Sequence, residues 1–272
     1  MLSIFQDFPR QSGNMTEKET HAKRLVLEGR IFSVLKQRYL ESLKTFWNTY
    51  QIPLNSDYRV VIVERRIHPN LEFILYNAAY FARAWAITII CSDFNQEYIE
   101  NLVGNKSVQI VPMFQGNPEP DIGKLEYNFL LQTKKFYEAL PSEHLLLMEM
   151  DTYLRKPIDS TLFQYDYVAS VYNWNTSMAG GGLSFRKKSA MLDICENYEH
   201  LEMAQDIYAC KGMKTLGYKL PTVEEASPFF SESIISDDPL GVHQWWTFYG
   251  TETENSELSE LFIDTLLTLK ME

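Results

Sequence analysis

Residues 145–154 read LLLMEMDTYL, and what this stretch becomes decides the fold. Apolar residues 145–148 and Met150, interrupted by Glu149, lead to a second carboxylate at Asp151. A continuous apolar run of this length is the mark of a strand covered on both faces, as in a parallel sheet. Side chains two apart on a strand share a face, so Glu149 and Asp151 would point the same way. Two like charges that close repel, and one is pushed toward protonation unless something positive sits between them.

The stretches upstream repeat the pattern. YRVVIVE (58–64), AITIIC (86–91) and VQIVPM (108–113) read as further buried strands. Between them, residues 70–84, with Asn70 as a cap candidate, residues 95–103 and residues 126–140 carry helical spacing. Pro141 closes the last of these helices. Strand and helix in alternation predict βαβ units and a mostly parallel sheet flanked by helices, an α/β fold. Right-handed crossovers then place the strand C-termini on one edge, where open α/β sheets bind ligands. Glu149 and Asp151 would sit on that edge. No GxGxxG follows the first strand and no GxxxxGK occurs, which argues against a dinucleotide site or a P-loop.

Beyond residue 155 the pattern is less regular. YDYVASV (165–171) predicts a strand, and an aromatic, polar loop, YNWNTSM, follows. Residues 180–198 open with three glycines, then predict a short strand and a helix. Residues 204–218 predict a helix with Asp206 in its first turn, FFSES (229–233) a short strand, GVHQWW (241–246) a compact element and 256–271 a final helix. At the other end, residues 1–14 are polar and without period and are expected to be flexible. Residues 15–52 predict one long amphipathic N-terminal helix, with Leu25, Phe32, Leu35, Tyr39, Leu43, Phe46 and Tyr50 on its apolar stripe. Packing against the domain is the favoured role for that stripe; a homo-oligomer or partner contact is the alternative. Residues 57–272 are expected to form a single domain.

Composition narrows the class. The 272 residues are 45% hydrophobic with a formal net charge of −11, which suits a well-packed globular chain. The best basic cluster, RKK at 186–188, is too short for a nucleic-acid footprint. Cys91, Cys195 and Cys210 have no CxxC spacing, so a reducing compartment is expected. Neither a signal peptide nor the ~20-residue apolar run of a transmembrane segment is visible. A cytoplasmic protein is expected.

Several residue types carry chemistry. Glu149 and Asp151 together suit Mg²⁺ or Mn²⁺, an ion that would remove their repulsion and fill its other positions with phosphate oxygens and water; the bland alternative is a capped turn. Gly180, Gly181 and Gly182 suit a close backbone approach, such as to a sugar ring, or a tight turn. Asp206 is either helix-dipole stabilisation or a general base. His243 is a packed histidine or a further metal ligand. Trp174, Trp245 and Trp246 suit core packing or stacking on sugar faces.

In order and spacing, VIVERRIHPNLEFILYNAAYFA, YNFLLQTKKFYEAL, LLLMEMDTYL, YDYVASV, GGGLSFRKKSAM, AQDIYAC and GVHQWW resemble metal-dependent nucleotide-sugar glycosyltransferases of the GT-A fold. More narrowly, they are similar to a glycosyltransferase-like family of bacteria, eukaryotes and large DNA viruses. The resemblance runs from about Val60 to Trp246 and leaves the N-terminal helix outside. It implies transfer of a sugar from a nucleoside-diphosphate donor, UDP foremost, to a glycan or other hydroxyl acceptor, in the host cytoplasm if the source is viral. It implies Asp151 on the Mn²⁺ or Mg²⁺ ion, Glu149 as the first acid of a DxD-type motif, His243 as a further ligand and Asp206 as the catalytic base. Glu64, Arg66 and Asn128 would lie near the nucleotide, and Gly181 and Gly182 would border the sugar. Two positions depart from the pattern: Glu149 replaces the usual first Asp, and Gln205 stands where an acid commonly precedes the base. The alternatives are a catalytically inactive binding scaffold of the same fold and, more remotely, a metal-dependent phosphoryl-transfer or hydrolytic enzyme.

Overall fold

Four of the apolar runs form the parallel core of the sheet: β1 (Tyr58–Val63), β2 (Ala86–Ser92), β3 (Val108–Phe114) and β4 (His144–Met148). They lie in the order β3-β2-β1-β4. Every residue of β2 is buried, as its lack of polar alternation requires for a strand covered on both sides. β3 is the half-exposed edge, which is why it tolerates Pro112. The computed structural model describes residues 17–171, 180–199, 203–248 and 260–272; the expected flexible segment 1–14 and the loop carrying Trp174 lie outside the described residues.

The crossovers are α2 (Leu71–Phe81), α3 (Gln96–Val103), α4 (Pro120–Leu130) and α5 (Lys134–Glu138). The single helix expected over 126–140 is two helices, and the first begins earlier, with Pro120 in its first turn. The break comes at Thr133, whose backbone is extended (φ −114°, ψ 145°). Tyr137 Oη donates to the Leu131 carbonyl at 2.9 Å, and Thr133 Oγ1, at 2.7 Å, joins its own N–H on the Leu130 carbonyl. Asn70 does not cap α2. Its backbone is already helical (φ −89°, ψ −9°), and a cap needs extended geometry.

In the other half of the sheet one strand runs the opposite way. After β5 (Thr152–Leu154) and β6 (Tyr167–Ser170) comes β7 (Gly180–Lys187), antiparallel to both β4 and β6. The sheet is thus six-stranded, β3-β2-β1-β4-β7-β6, and mostly parallel. Helices α6 (Lys188–Asn197), α7 (Gln205–Leu216) and α8 (Val223–Ala226) follow, then β8 (Phe230–Ser231) and β9 (Gly241–His243). β5, β9 and β8 make a second, three-stranded sheet. The last described helix, α9, spans Glu260–Leu266; beyond it the chain leaves helical geometry and Lys270 N–H donates to the Arg155 carbonyl at 2.7 Å.

The N-terminal helix α1 (Glu17–Thr49) packs into this body. Leu27, Ile31, Phe32, Leu35, Leu43 and Trp47 are buried in the same apolar cluster as the sheet. Phe32 meets Phe73, Tyr153 and Trp246 edge-on at 5.7, 6.1 and 6.0 Å. The buried stripe is the expected one without its first residue: Tyr39, Phe46 and Tyr50 also pack against the cluster, whereas Leu25 is 51% exposed. Trp245 and Trp246 are fully buried, and Trp245 Nε1 donates to Tyr153 Oη at 3.0 Å, so both belong to the core and not to a sugar-stacking surface. The three cysteines are free thiols. Among the described residues no helix is long and apolar enough to cross a membrane.

Candidate functional site

At the C-terminal end of β4 the chain holds its ladder for one more residue and then turns. Glu149 N–H donates to Gly182 O on β7 at 2.8 Å. Its carbonyl then accepts from Thr152 Oγ1 at 2.8 Å and from Thr152 N–H at 3.3 Å, closing a tight reversal. Glu149 and Asp151 therefore share a side through a turn rather than through strand alternation. The reversal feeds β5, which pairs antiparallel with β9 so that Thr152 lies opposite His243. Gln244 N–H donates to the Asp151 carbonyl at 3.0 Å and completes the register. One ligand-type atom from each of Glu149, Asp151 and His243 lies within 4.8 Å of the others.

The glycines make this convergence possible. Because β7 is antiparallel, its first residues lie beside the last residues of β4. A Cβ on Gly182 would come within 2.4 Å of His243 Nε2 and 3.0 Å of Glu149 Oε2. One on Gly181 would stand 2.5 Å from both Asp206 Cβ and Gln205 Nε2. What these positions admit closely is the protein's own carboxylates and imidazole.

The electrostatics divide the two acids. Burial opposes ionisation of Asp151, but the His243 imidazole and the Arg24 guanidinium outweigh it and hold this carboxyl well below the usual range. Glu149 moves the other way, pushed up by burial and by the charge on Asp151. Tyr127 Oη donates to Glu149 Oε1. Burial also works against charging His243, yet Glu232 on one side and Asp151 on the other hold its pKa well above the ordinary value. His243 Nδ1 lies 3.0 Å from Glu232 Oε2. A metal at the other ring nitrogen would take the place of its proton, with Glu232 holding the remaining proton on Nδ1. That other nitrogen, Nε2, and Asp151 Oδ1 are both buried without a hydrogen-bond partner and face each other at 3.4 Å. Buried polar atoms are seldom left unmatched, so this pair fits a cation between them.

Glu149 and Asp151 open onto a cleft of about 510 Å³. Its floor is the C-terminal edge of β1, with Glu64 and Arg66; α4 forms one wall, with Lys124 and Tyr127, and α1 contributes His21, Arg24, Leu25 and Glu28. Arg66 grips Glu64 in a fork, Nε to Oε1 at 2.9 Å and Nη2 to Oε2 at 2.7 Å. The loop bearing them is pinned by Asn95, whose amide donates to the carbonyls of Glu64 and Arg66, both at 2.9 Å.

Not every residue singled out in the sequence reaches this cleft. Asn128, Gly181, Gly182, Asp206 and His243 do not line it. The Asn128 carbonyl oxygen accepts from Gln205 N–H at 2.8 Å and its amide donates to Lys124 O at 2.9 Å, so it ties α4 to the start of α7. Asp206 accepts from Ile207 N–H at 2.7 Å and from Gly181 N–H at 3.4 Å, next to the strand that supports Glu149. Two residues absent from the sequence reading join the site. Arg24 Nη2 donates to Asp151 Oδ2 at 2.7 Å, and Glu232, fully buried, faces His243. A trace of Glu232 is present in FFSES, where a single acid interrupts a short buried run; Arg24 left none, because ordinary solvated helix faces carry the same charges.

No curated protein matches the chain. A family model described as "Protein of unknown function (DUF5672)" matches residues 122–243, the part that holds β4, the glycines, Asp206 and His243. Among solved structures, the chain is similar to the apo form of the glycosyltransferase GlyE from Streptococcus pneumoniae TIGR4, with a TM-score of 0.46 and 9% identity. The match covers 78% of this chain and 61% of that one, so this chain spans about three-fifths of that structure's length.

Proposed function

We propose that the protein is a metal-dependent glycosyltransferase of the GT-A type, moving a sugar from a nucleoside diphosphate to a hydroxyl acceptor. One observation carries the reading: Asp151 Oδ1 and His243 Nε2, both buried, without a hydrogen-bond partner and 3.4 Å apart, converge with Glu149 beside a cleft at the C-terminal edge of a parallel sheet. The order of motifs from Val60 to Trp246 supports it. A carboxylate and an imidazole favour Mn²⁺ over Mg²⁺, which prefers an all-oxygen shell.

Asp151, His243 and Glu149 would hold the ion, with Glu232 keeping the His243 proton on Nδ1. When bound, the ion supplies Lewis-acid stabilisation of charge developing on the diphosphate leaving group. The remaining work belongs to the chain. Glu64 and Arg66 form the preorganised floor under the nucleotide. The acceptor hydroxyl attacks the anomeric carbon as the bond from that carbon to the diphosphate oxygen breaks. The motif resemblance gives its proton to Asp206, which stands beside Gly181 outside the cleft lining, so the acceptor would have to approach from that side. Attack opposite the leaving group with Asp206 as base would invert the anomeric configuration; with Asp206 remote from the acceptor, retention is the alternative.

Thermal denaturation with Mn²⁺ and UDP tests the reading directly. Ligand at a hundred times its dissociation constant stabilises by ~2.7 kcal/mol, and Asp151→Asn should abolish that gain. With a UDP-sugar, turnover should fall about a hundredfold or more in the variant, a loss of ~3 kcal/mol in the transition state. If the wild-type protein shows no nucleotide-dependent stabilisation at saturating Mn²⁺, the enzyme reading is lost. Metal-independent glycan binding without nucleotide affinity would then identify an inactive scaffold.

A further inference from the structure

The N-terminal helix lies outside the motifs that point to a glycosyltransferase, yet it reaches their site. His21, Arg24, Leu25 and Glu28 fall at i, i+3, i+4 and i+7, one face of α1, and all four line the cleft. The same stripe continues as Ile31, Phe32 and Leu35, which are buried. At 1.5 Å per residue, Arg24 stands only about 10 Å along the helix from the Ile31 anchor. It is held in place and not carried on a loose arm.

The cleft's arginines differ in what they have left to give. Arg66 is forked onto Glu64. Arg65 donates to Glu126 and to the Gln115 carbonyl and lies over the Phe114 ring at 4.7 Å. Among the described residues Arg24 meets Asp151 Oδ2 through Nη2 alone, and its Nε, like that of Arg65, is buried with no hydrogen-bond partner. A guanidinium has five donors and suits phosphate oxygens. The choice of oxygen matters as well. Arg24 takes Oδ2 and leaves Oδ1 facing His243 Nε2, so it does not stand where the cation would.

We propose that Arg24 is a positioning and anion-binding residue of the donor site: it holds Asp151 Oδ2 so that Oδ1 faces His243, and its remaining donors bind a diphosphate oxygen of the donor. This rests on the glycosyltransferase reading and makes α1 a working wall of that site. Arg24 is the cationic complement that an acidic cleft needs to accept a diphosphate.

The test is calorimetric titration of the full chain with Mn²⁺, then with inorganic pyrophosphate at saturating Mn²⁺, for wild type, Arg24→Ala, Arg24→Lys and Arg24→Gln. Melting temperatures are measured alongside. Loss of one charge-assisted contact to phosphate predicts pyrophosphate affinity lower by about tenfold or more in Arg24→Ala. Lysine should restore part of it and glutamine none, at similar melting temperatures. Wild-type or tighter pyrophosphate binding by Arg24→Ala would overturn the proposal, the latter by showing that α1 obstructs the cleft. Equal affinities for the lysine and glutamine variants would overturn it too, and this comparison stands even if the alanine variant fails to fold. If the wild type binds Mn²⁺ but not pyrophosphate, or neither, the donor-site reading itself falls and this inference with it.

Discussion

The two ends of the same parallel strands carry buried polar clusters of opposite character. At the N-terminal edge, Arg59 of β1 is 2% exposed. It donates to Ser142 Oγ at 2.9 Å, Thr88 Oγ1 at 2.8 Å, Gln109 Oε1 at 3.3 Å and Leu54 O at 3.4 Å. At the C-terminal edge, Asp151 and His243 each keep an unmatched buried atom, and three carboxylates crowd one imidazole. A satisfied buried network rigidifies a fold, whereas an unsatisfied one costs free energy unless a ligand completes it. The first cluster is architecture. The second is the donor set proposed above to hold a cation.

Removing the Arg59 side chain should cost the most stability. Arg59→Ala leaves a buried cavity and several groups without their donor, a loss of about 3 kcal/mol in urea unfolding, with Mn²⁺ affinity unchanged. A collapse of metal binding in that variant would show that the two edges are coupled and break the contrast. Gly182→Ala attacks the opposite edge. Its methyl group would stand 2.4 Å from His243 Nε2, so Mn²⁺ affinity should fall by about a hundredfold, the upper range for a displaced ligand environment. Undiminished Mn²⁺ binding would remove His243 from the ligand set.

A smaller effect concerns the lining of the cleft itself. His68 Nδ1 accepts Asn70 N–H at 3.2 Å, which requires an unprotonated nitrogen. Burial pushes its pKa down from 6.5 to about 4. The unfolded chain therefore binds the proton more readily, so this part of the stability is present above pH 6.5 and is lost as pH falls toward 4. Glu28, 3.8 Å from His68 Nε2, works in the opposite sense: burial pushes its carboxyl up to about 7, and its cost grows as pH rises from 4.5. The informative quantity is thus the difference between wild type and His68→Gln, which should narrow by about 2 kcal/mol between pH 7 and pH 4.5. A difference that does not change with pH would mean that His68 titrates normally.

Much of the architecture was legible because its signals are local. Continuous apolar runs in β1, β2 and β4, split by helical spacing, already specify strands covered on both faces, and from them the parallel order and the ligand edge follow. The second half carried weaker signals. Three glycines announced a close approach without saying to what, and nothing in the chain revealed that β7 runs antiparallel. Asn70 looked like a cap, but its amide donates instead to Glu28 and to the Met150 carbonyl, at 3.1 and 3.2 Å. A side chain that can cap locally will serve a distant partner when packing has already set its backbone.

The residues alone determined the α/β class, the edge on which two acids emerge, and the residue types able to hold a divalent ion. Only the tertiary structure decided that His243 meets Asp151, that Glu232 backs the imidazole, and that Arg24 arrives from 127 positions away along the chain. The physical reason is one of range. Hydrophobic period and turn chemistry act over a few residues, whereas the pairing of charges across a cleft depends on strand register and helix packing, which no short window of sequence contains.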